Sequence, residues 1–158
     1  MPPATATTTT TDRIEKQVRL DAPRARVWRA LTDPGEFGRW FGVKLAGVVA
    51  PGGKLRGPIT VKSYEHVTFE ATVDTVEPEK RFAFRWHPYA IEPGVDYSGE
   101  PTTLVMFTLE DAGGGTLLTV VESGFDKIPA SRRAKAFEMN SMGWGMQMEN
   151  IAKHLAAG

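Results

Sequence analysis

Glu122 is the polar residue of this chain best placed to do chemistry. It follows Leu118 and Val120 at strand spacing, so alternation aims all three side chains at the same face of a strand. A carboxylate aimed inward must be paired, bathed in cavity water, or neutralised by a raised pKa. One reading is structural: a salt bridge to an arginine such as Arg85, or a hydrogen bond to the backbone. The other is functional: a polar anchor, or a general acid or base, in a ligand cavity. His66 and Tyr64 share one strand parity, and either could reach the mouth of such a cavity. Arg85 and His87 are out of phase with Phe84 and Trp86, which places them on the outer face if the aromatics point inward.

Other chemistries find little support. The three histidines, His66, His87 and His154, have no partner at ligand spacing, and there is no cysteine. No metal and no cofactor is therefore expected. Neither a phosphate-binding glycine loop nor a serine in a nucleophile elbow is present. Pro51-Gly52-Gly53 and Gly113-Gly114-Gly115 read as hairpin turns. Lys and Arg together number 19, as do Asp and Glu, so no net field draws the chain to nucleic acid or to an anionic membrane. Arg132, Arg133 and Lys135, near a helix start, read as a solvated face. No apolar run approaches the roughly 20 residues that span a bilayer, and residues 1–12, rich in Thr, lack the features of a signal peptide. The expectation is a cytoplasmic protein with a disordered tail over 1–12 and a single domain over 13–158.

The elements that would hold Glu122 can be read from periodicity. Residues 13–20 alternate as a first strand. Asp21 is placed to cap a helix that begins near Pro23 and buries Val27, Trp28 and Leu31. Thr32 or Asp33 then caps a shorter helix with Phe37, Trp40 and Phe41 on its apolar side. Strands are predicted over 42–49, 53–64 and 67–76, followed by the alternating Phe82, Phe84 and Trp86, then 103–109 and 116–123. Residues 87–102 hold three prolines and two glycines and read as an ordered surface loop. Consecutive strands without intervening helices imply an antiparallel sheet, α+β overall, whose curved face receives the last helix.

That last helix is the clearest element. Phe137, Ser141, Trp144, Met148, Ile151 and Leu155 fall in a stripe roughly 80° wide. Gly143 and Gly145 flank Trp144, each costing about 1 kcal/mol against alanine in a helix interior. They imply close backbone approach, a kink, or room beside the tryptophan. Met139, Met142 and Met146 occupy the opposite side. Either loops or the first helices cover them, or they meet another chain as a homodimer surface.

The ordered motifs resemble the START-like, helix-grip superfamily often called SRPBCC. More narrowly they resemble the family related to the C-terminal domain of the activator of the ninety-kilodalton heat-shock-protein ATPase. The resemblance rests on Ala22-Pro23 with Val27-Trp28-Arg29-Ala30-Leu31, Asp33-Pro34 and Trp40-Phe41. It continues through Val76-Glu77-Pro78 with Phe82, Phe84 and Trp86. Gly115-Thr116, Glu122-Ser123-Gly124-Phe125 and Asn140 with Gly143-Trp144 complete it. It implies a curved antiparallel sheet of about six or seven strands wrapped on a long C-terminal helix, with two short helices after the first strand. It also implies a hollow between sheet and helix. The eukaryotic co-chaperone has an additional N-terminal domain where this chain has a short tail, so a chaperone partner is not expected.

Three functions are compatible with these residues. The first is a non-catalytic carrier of a hydrophobic or aromatic small molecule, with Trp40, Phe69, Phe84, Trp86, Glu122, Phe137, Trp144 and Met148 around the ligand. The second is a cyclase- or hydrolase-type enzyme using Glu122, with His66 or Tyr64, as acid and base. The third is a co-chaperone-like interaction module, with a filled cavity and an exposed apolar patch.

Overall fold

The computed structural model describes residues 12–157; the Thr-rich tail expected over 1–12 lies, apart from Asp12, outside them. Strand β1 (Arg13–Leu20) leads into helices α1 (Arg24–Thr32) and α2 (Pro34–Phe41). Six strands follow: β2 (Ala46–Gly47), β3 (Lys54–Pro58), β4 (Thr68–Glu77), β5 (Arg81–Trp86), β6 (Thr103–Ala112) and β7 (Gly115–Ser123). A 3-10 turn at Phe125–Lys127 precedes α3 (Ala130–Ala156). The sheet is antiparallel in the order β1-β7-β6-β5-β4-β3-β2, so the first strand closes onto the last. Among the described residues, no helix is long and apolar enough to cross a membrane.

Alternation decides the core. Phe69, Ala71 and Val73 of β4, Phe82 and Phe84 of β5, Val105 and Phe107 of β6, and Leu118 and Val120 of β7 turn to the concave face and are buried. Ala136, Trp144, Met148 and Ile151 of α3 lie against them. The helix pair plugs one end through Phe37, whose ring stacks on Phe41 at 5.0 Å and meets Trp40 edge-on at 4.8 Å. Gly38 lets the chain after α2 fold back closely on that helix, because a Cβ there would lie 2.1 Å from the Val43 carbonyl oxygen. Gly42, at φ 96°, ends α2 in the left-handed conformation that glycine tolerates.

A second buried carboxylate locks the helices together. Glu36 of α2 accepts hydrogen bonds from Arg26 and Arg29 of α1, the latter at 3.1 Å. His154 Nε2 of α3 lies 2.9 Å from its Oε1. Burial alone would raise its pKa, but the bonds from His154 and Arg26, the Arg26 charge and the Arg29 bond lower it from 4.5 to about 2.

Several local expectations are corrected. Asp21 does not cap α1: Pro23 holds the cap position without a side-chain bond, and Asp21 instead pairs with Arg19. Neither Thr32 nor Asp33 caps α2 by its side chain; the Thr32 hydroxyl donates to the Trp28 carbonyl at 2.7 Å. Trp28 is only half-buried, with Ala30 completing the buried face of α1 in its place. The strand expected over 42–49 shrinks to two residues at the sheet edge, and that over 53–64 to Lys54–Pro58. An edge strand has one neighbour only, so β-branched residues such as Val48, 63% exposed, gain nothing by extending it.

Close approach does not explain the glycines of α3. A Cβ at Gly143 or Gly145 would meet no atom within 4 Å, and the helix runs unbroken past both. No neighbouring atom requires glycine at either position. Gly143→Ala and Gly145→Ala should each raise stability by up to about 1 kcal/mol, read as a higher melting temperature. A fall in melting temperature would mean that the helix needs glycine there.

Candidate functional site

Glu122 is fully buried, with 0% of its surface exposed, as its strand phase requires. Its register partners are Val105 on β6 and Ile14 on β1. The arginine pairing does not occur: Arg85 points outward, 3.4 Å from Asp74. Four neutral groups hold the carboxylate instead. Trp86 Nε1 and the Thr103 hydroxyl donate to Oε2 at 2.7 and 2.6 Å. Trp144 Nε1 donates to Oε1 at 2.8 Å, and Asn140 Nδ2 reaches both oxygens at 3.0 and 3.2 Å. Burial pushes the carboxyl pKa above its usual 4.5, against the downward pull of Thr103, Trp86, Trp144 and Asn140.

In front of this cluster lies a cleft of about 1140 Å³. Phe69 of β4 and Trp86 of β5 form its sheet-side wall, and Phe41 closes it at the end of α2. Asn140 and Gln147, two turns apart on α3, form the helix-side wall. Ile59, Tyr64 and His66 come from the segment after β3, and His87, Tyr89, Ile91 and Tyr97 from the loop 87–102. These apolar and aromatic side chains share the lining with polar and charged ones, among them Lys54, Arg56, Glu70 and Arg85, and an apolar wall with convergent polar groups is the usual character of a small-molecule site.

The loop is fixed rather than loose. Arg132, expected on a solvated face, donates to Glu100 Oε1 at 2.7 Å and to the Pro88 carbonyl at 2.7 Å. Its guanidinium also lies 4.8 Å from the centre of the Tyr97 ring. Arg133 is likewise tied down, donating to the Ile128 carbonyl at 3.0 Å. His66 Nε2 and the Ile91 carbonyl are 3.0 Å apart, which links both sides of the mouth. His87, expected on the outer face, lines the cleft half-buried, with Nε2 3.0 Å from the Glu100 carbonyl.

Of the residues expected around a ligand, Phe69 and Trp86 line the cleft. Glu122 and Trp144 sit behind that wall, the indole of Trp144 being 6.0 Å from that of Trp86. Phe84 and Met148 are core, and Trp40 Nε1 donates to the Ala30 carbonyl at 2.8 Å, away from the cleft. Phe137 packs edge-on to Phe125 at 5.2 Å, under the 3-10 turn. Sequence reasoning missed Asn140, Phe41, Tyr89, Ile91 and Gln147 as cleft residues. Asn140 did leave a signal: it lies four residues before Trp144, at the edge of the apolar stripe, where a polar side chain can reach an inward partner.

Because Glu122 is enclosed by four donors and does not reach the cleft surface, it acts through the residues it holds. Among the described residues, no group of three or more His, Asp or Glu side chains is placed to hold a metal ion.

The fold recurs in solved structures. Protein MLL2253 from Mesorhizobium loti superposes with a TM-score of 0.72 at 26% identity, over 92% of this chain and 97% of that one. DynU16, a protein of the dynemicin biosynthetic locus, gives a TM-score of 0.69 at 31% identity over 92% of this chain. This chain spans about half, 47%, of DynU16. The Aha1 dimer from Colwellia psychrerythraea shares the fold alone, with a TM-score of 0.67 at 15% identity over 90% of this chain and 95% of its own. No curated protein matches the chain in sequence. The model of the activator of Hsp90 ATPase homolog 1-like family matches residues 21–156, from the approach to α1 through the end of α3, and the chain belongs to that START/SRPBCC-type family.

Proposed function

We propose that this protein binds a small hydrophobic or aromatic molecule in the cleft and does so without catalysis. The observation that carries the reading is the pairing of that cleft with a buried carboxylate that grips two of its lining side chains, Trp86 and Asn140. A site whose walls are held in place before the ligand arrives loses less entropy on binding. The enzyme alternative needs a general acid or base that touches the substrate. Glu122 is walled off from the cleft, and neither His66 nor Tyr64 is bonded to it. The occurrence of the structurally similar DynU16 in a biosynthetic locus is compatible with handling a small molecule.

One further observation favours self-association. Met142 and Met146 are 60% and 63% exposed, so neither a loop nor the first helices cover them. Met139, half-buried, continues the same side of α3. Flexible methionines adapt well to a second copy of the chain.

Native mass spectrometry of the purified protein, followed by thermal shift against aromatic and lipid-like compounds, tests both readings. Aromatic ligands should raise the melting temperature in proportion to the logarithm of their excess over Kd, and a species of twice the chain mass should be present. If no compound of either class shifts melting, the carrier reading fails. If only monomer is seen at high protein concentration, the methionine face is not a dimer surface.

A further inference from the structure

The hydrogen-bond inventory around Glu122 fixes which end of Asn140 faces the cleft. An ionised Glu122 can only accept, so in that form the Asn140 amide turns its NH2 group toward it, in keeping with the distances of 3.0 and 3.2 Å from Nδ2. Its Oδ1 therefore points the other way. No described residue donates to that oxygen, and no buried side-chain oxygen or nitrogen among the described residues lacks a partner. Oδ1 is thus open at the helix-side wall of the cleft that Asn140 lines. Across the hollow, Trp86 is turned by the same carboxylate: its N–H is spent on Glu122 and its ring lines the cleft. Gln147, the other amide on this wall, is occupied at both ends, donating to the Phe41 carbonyl at 2.9 Å and accepting from Asn150 at 3.1 Å.

The two cleft histidines repeat the pattern. His66 and His87 each have Nε2 3.0 Å from a backbone carbonyl, which only an N–H can satisfy. In the neutral ring the proton is then on Nε2, and Nδ1 is an acceptor. Asn140 thus offers the cleft an open acceptor, whereas the cationic donors of the lining, Lys54, Arg56 and Arg85, are engaged by Thr72, Glu70 and Asp74.

We propose that the cleft selects aromatic molecules bearing a hydroxyl or N–H donor, with Asn140 Oδ1 as the acceptor that reads the donor and Glu122 as the positioning residue that orients Asn140. This rests on the ligand-binding reading above and specifies its ligand. It also predicts how the selectivity can be removed. In Glu122→Gln, the new amide can place its own NH2 toward Asn140, which then turns Oδ1 inward to accept and presents its NH2 to the cleft. The site changes from an acceptor to a donor.

Isothermal titration with a matched pair, 2-naphthol and 2-methoxynaphthalene, tests this on the full chain. The wild-type protein should bind the naphthol about tenfold more tightly, the worth of one partly solvated hydrogen bond. Glu122→Gln should remove most of this preference, because an NH2 at the wall can donate to the naphthol oxygen and to the ether oxygen alike. Asn140→Ala should bind both compounds with no preference, and it carries the test if Glu122→Gln does not fold. Equal binding of the pair by the wild type overturns the proposal while leaving the carrier reading intact. So does a naphthol preference that survives undiminished in either variant. If the wild type binds neither compound, the aromatic-ligand reading itself falls, and the proposal with it. A purely structural role for Glu122 would weaken both probes together and leave their ratio unmoved.

Discussion

Glu122→Ala is expected to lower the stability of the fold by about 3–5 kcal/mol, the range found when one partner of a buried polar network is removed. The loss has two sources. The side chain fills space in a core where its strand neighbours, Leu118 and Val120, are themselves fully buried, so truncation leaves a cavity. More important, the Thr103 hydroxyl and the indole N–H groups of Trp86 and Trp144 lose their acceptor together, and Thr103 and Trp144 are too deep for easy solvation. Part of the loss is offset because a carboxylate no longer has to be desolvated. Glu122→Gln keeps the volume and one carbonyl acceptor. It should cost less, about 1–3 kcal/mol, chiefly because an NH2 then faces the Trp144 N–H. Urea denaturation checks both values, read as a lower midpoint at constant slope. A loss under about 1 kcal/mol for the alanine variant would mean that water from the cleft satisfies the orphaned donors, and that the carboxylate is not what holds Trp86 and Asn140 in place.

The inward aim of Glu122 was legible because strand alternation is a local property: Leu118, Val120 and Glu122 must share a face whatever else the chain does. Its partners were not legible. They lie 18 to 36 residues away in sequence and meet only because β5, β6 and α3 converge on one point of the concave face. Arg85 was the reasonable guess for an ion pair, yet its own strand phase, opposite to Phe84 and Trp86, sends it to Asp74 on the outer face. The amphipathic stripe located α3 and its buried Trp144, but stripe membership could not separate wall from core. Met148 and Phe137 share the stripe with Trp144, as Phe84 shares the alternation of Trp86, and only the packing of helix against sheet tells wall from core. Arg132 shows the converse limit. Its sequence neighbourhood is basic and near a helix start, and what draws it from solvent is the path of the loop 87–102, which brings Glu100 and two carbonyls into its reach.

The two buried carboxylates should give the stability profile opposite slopes on either side of pH 4.5. Glu36 is bound by Arg26, Arg29 and His154, and its folded pKa is lowered from 4.5 to about 2. In the unfolded chain it takes up a proton first as pH falls, so its contribution is fully present above 4.5 and disappears between 4.5 and about 2. Allowing for solvent screening around the more exposed Arg29, the loss is on the order of 1–2 kcal/mol. Glu122 has the opposite sign, because burial raises its folded pKa above 4.5. There the unfolded chain releases its proton first as pH rises, so its contribution is greatest below 4.5 and declines as pH climbs through the folded value. Melting temperatures measured from pH 2.5 to 8 should therefore fall on the acid side in the wild type and in Glu122→Gln, and much less in Glu36→Gln. On the neutral side the decline should persist in Glu36→Gln and flatten in Glu122→Gln. An acid limb unchanged in Glu36→Gln would show that the lock between α1, α2 and α3 does not depend on that charge. Since Glu36 and His154 join α2 to the last turns of α3, loss of the lock should also loosen Phe41 and Gln147, at one end of the cleft. Ligand affinity in Glu36→Gln should then drop at neutral pH while Glu122 and its four donors stay in place.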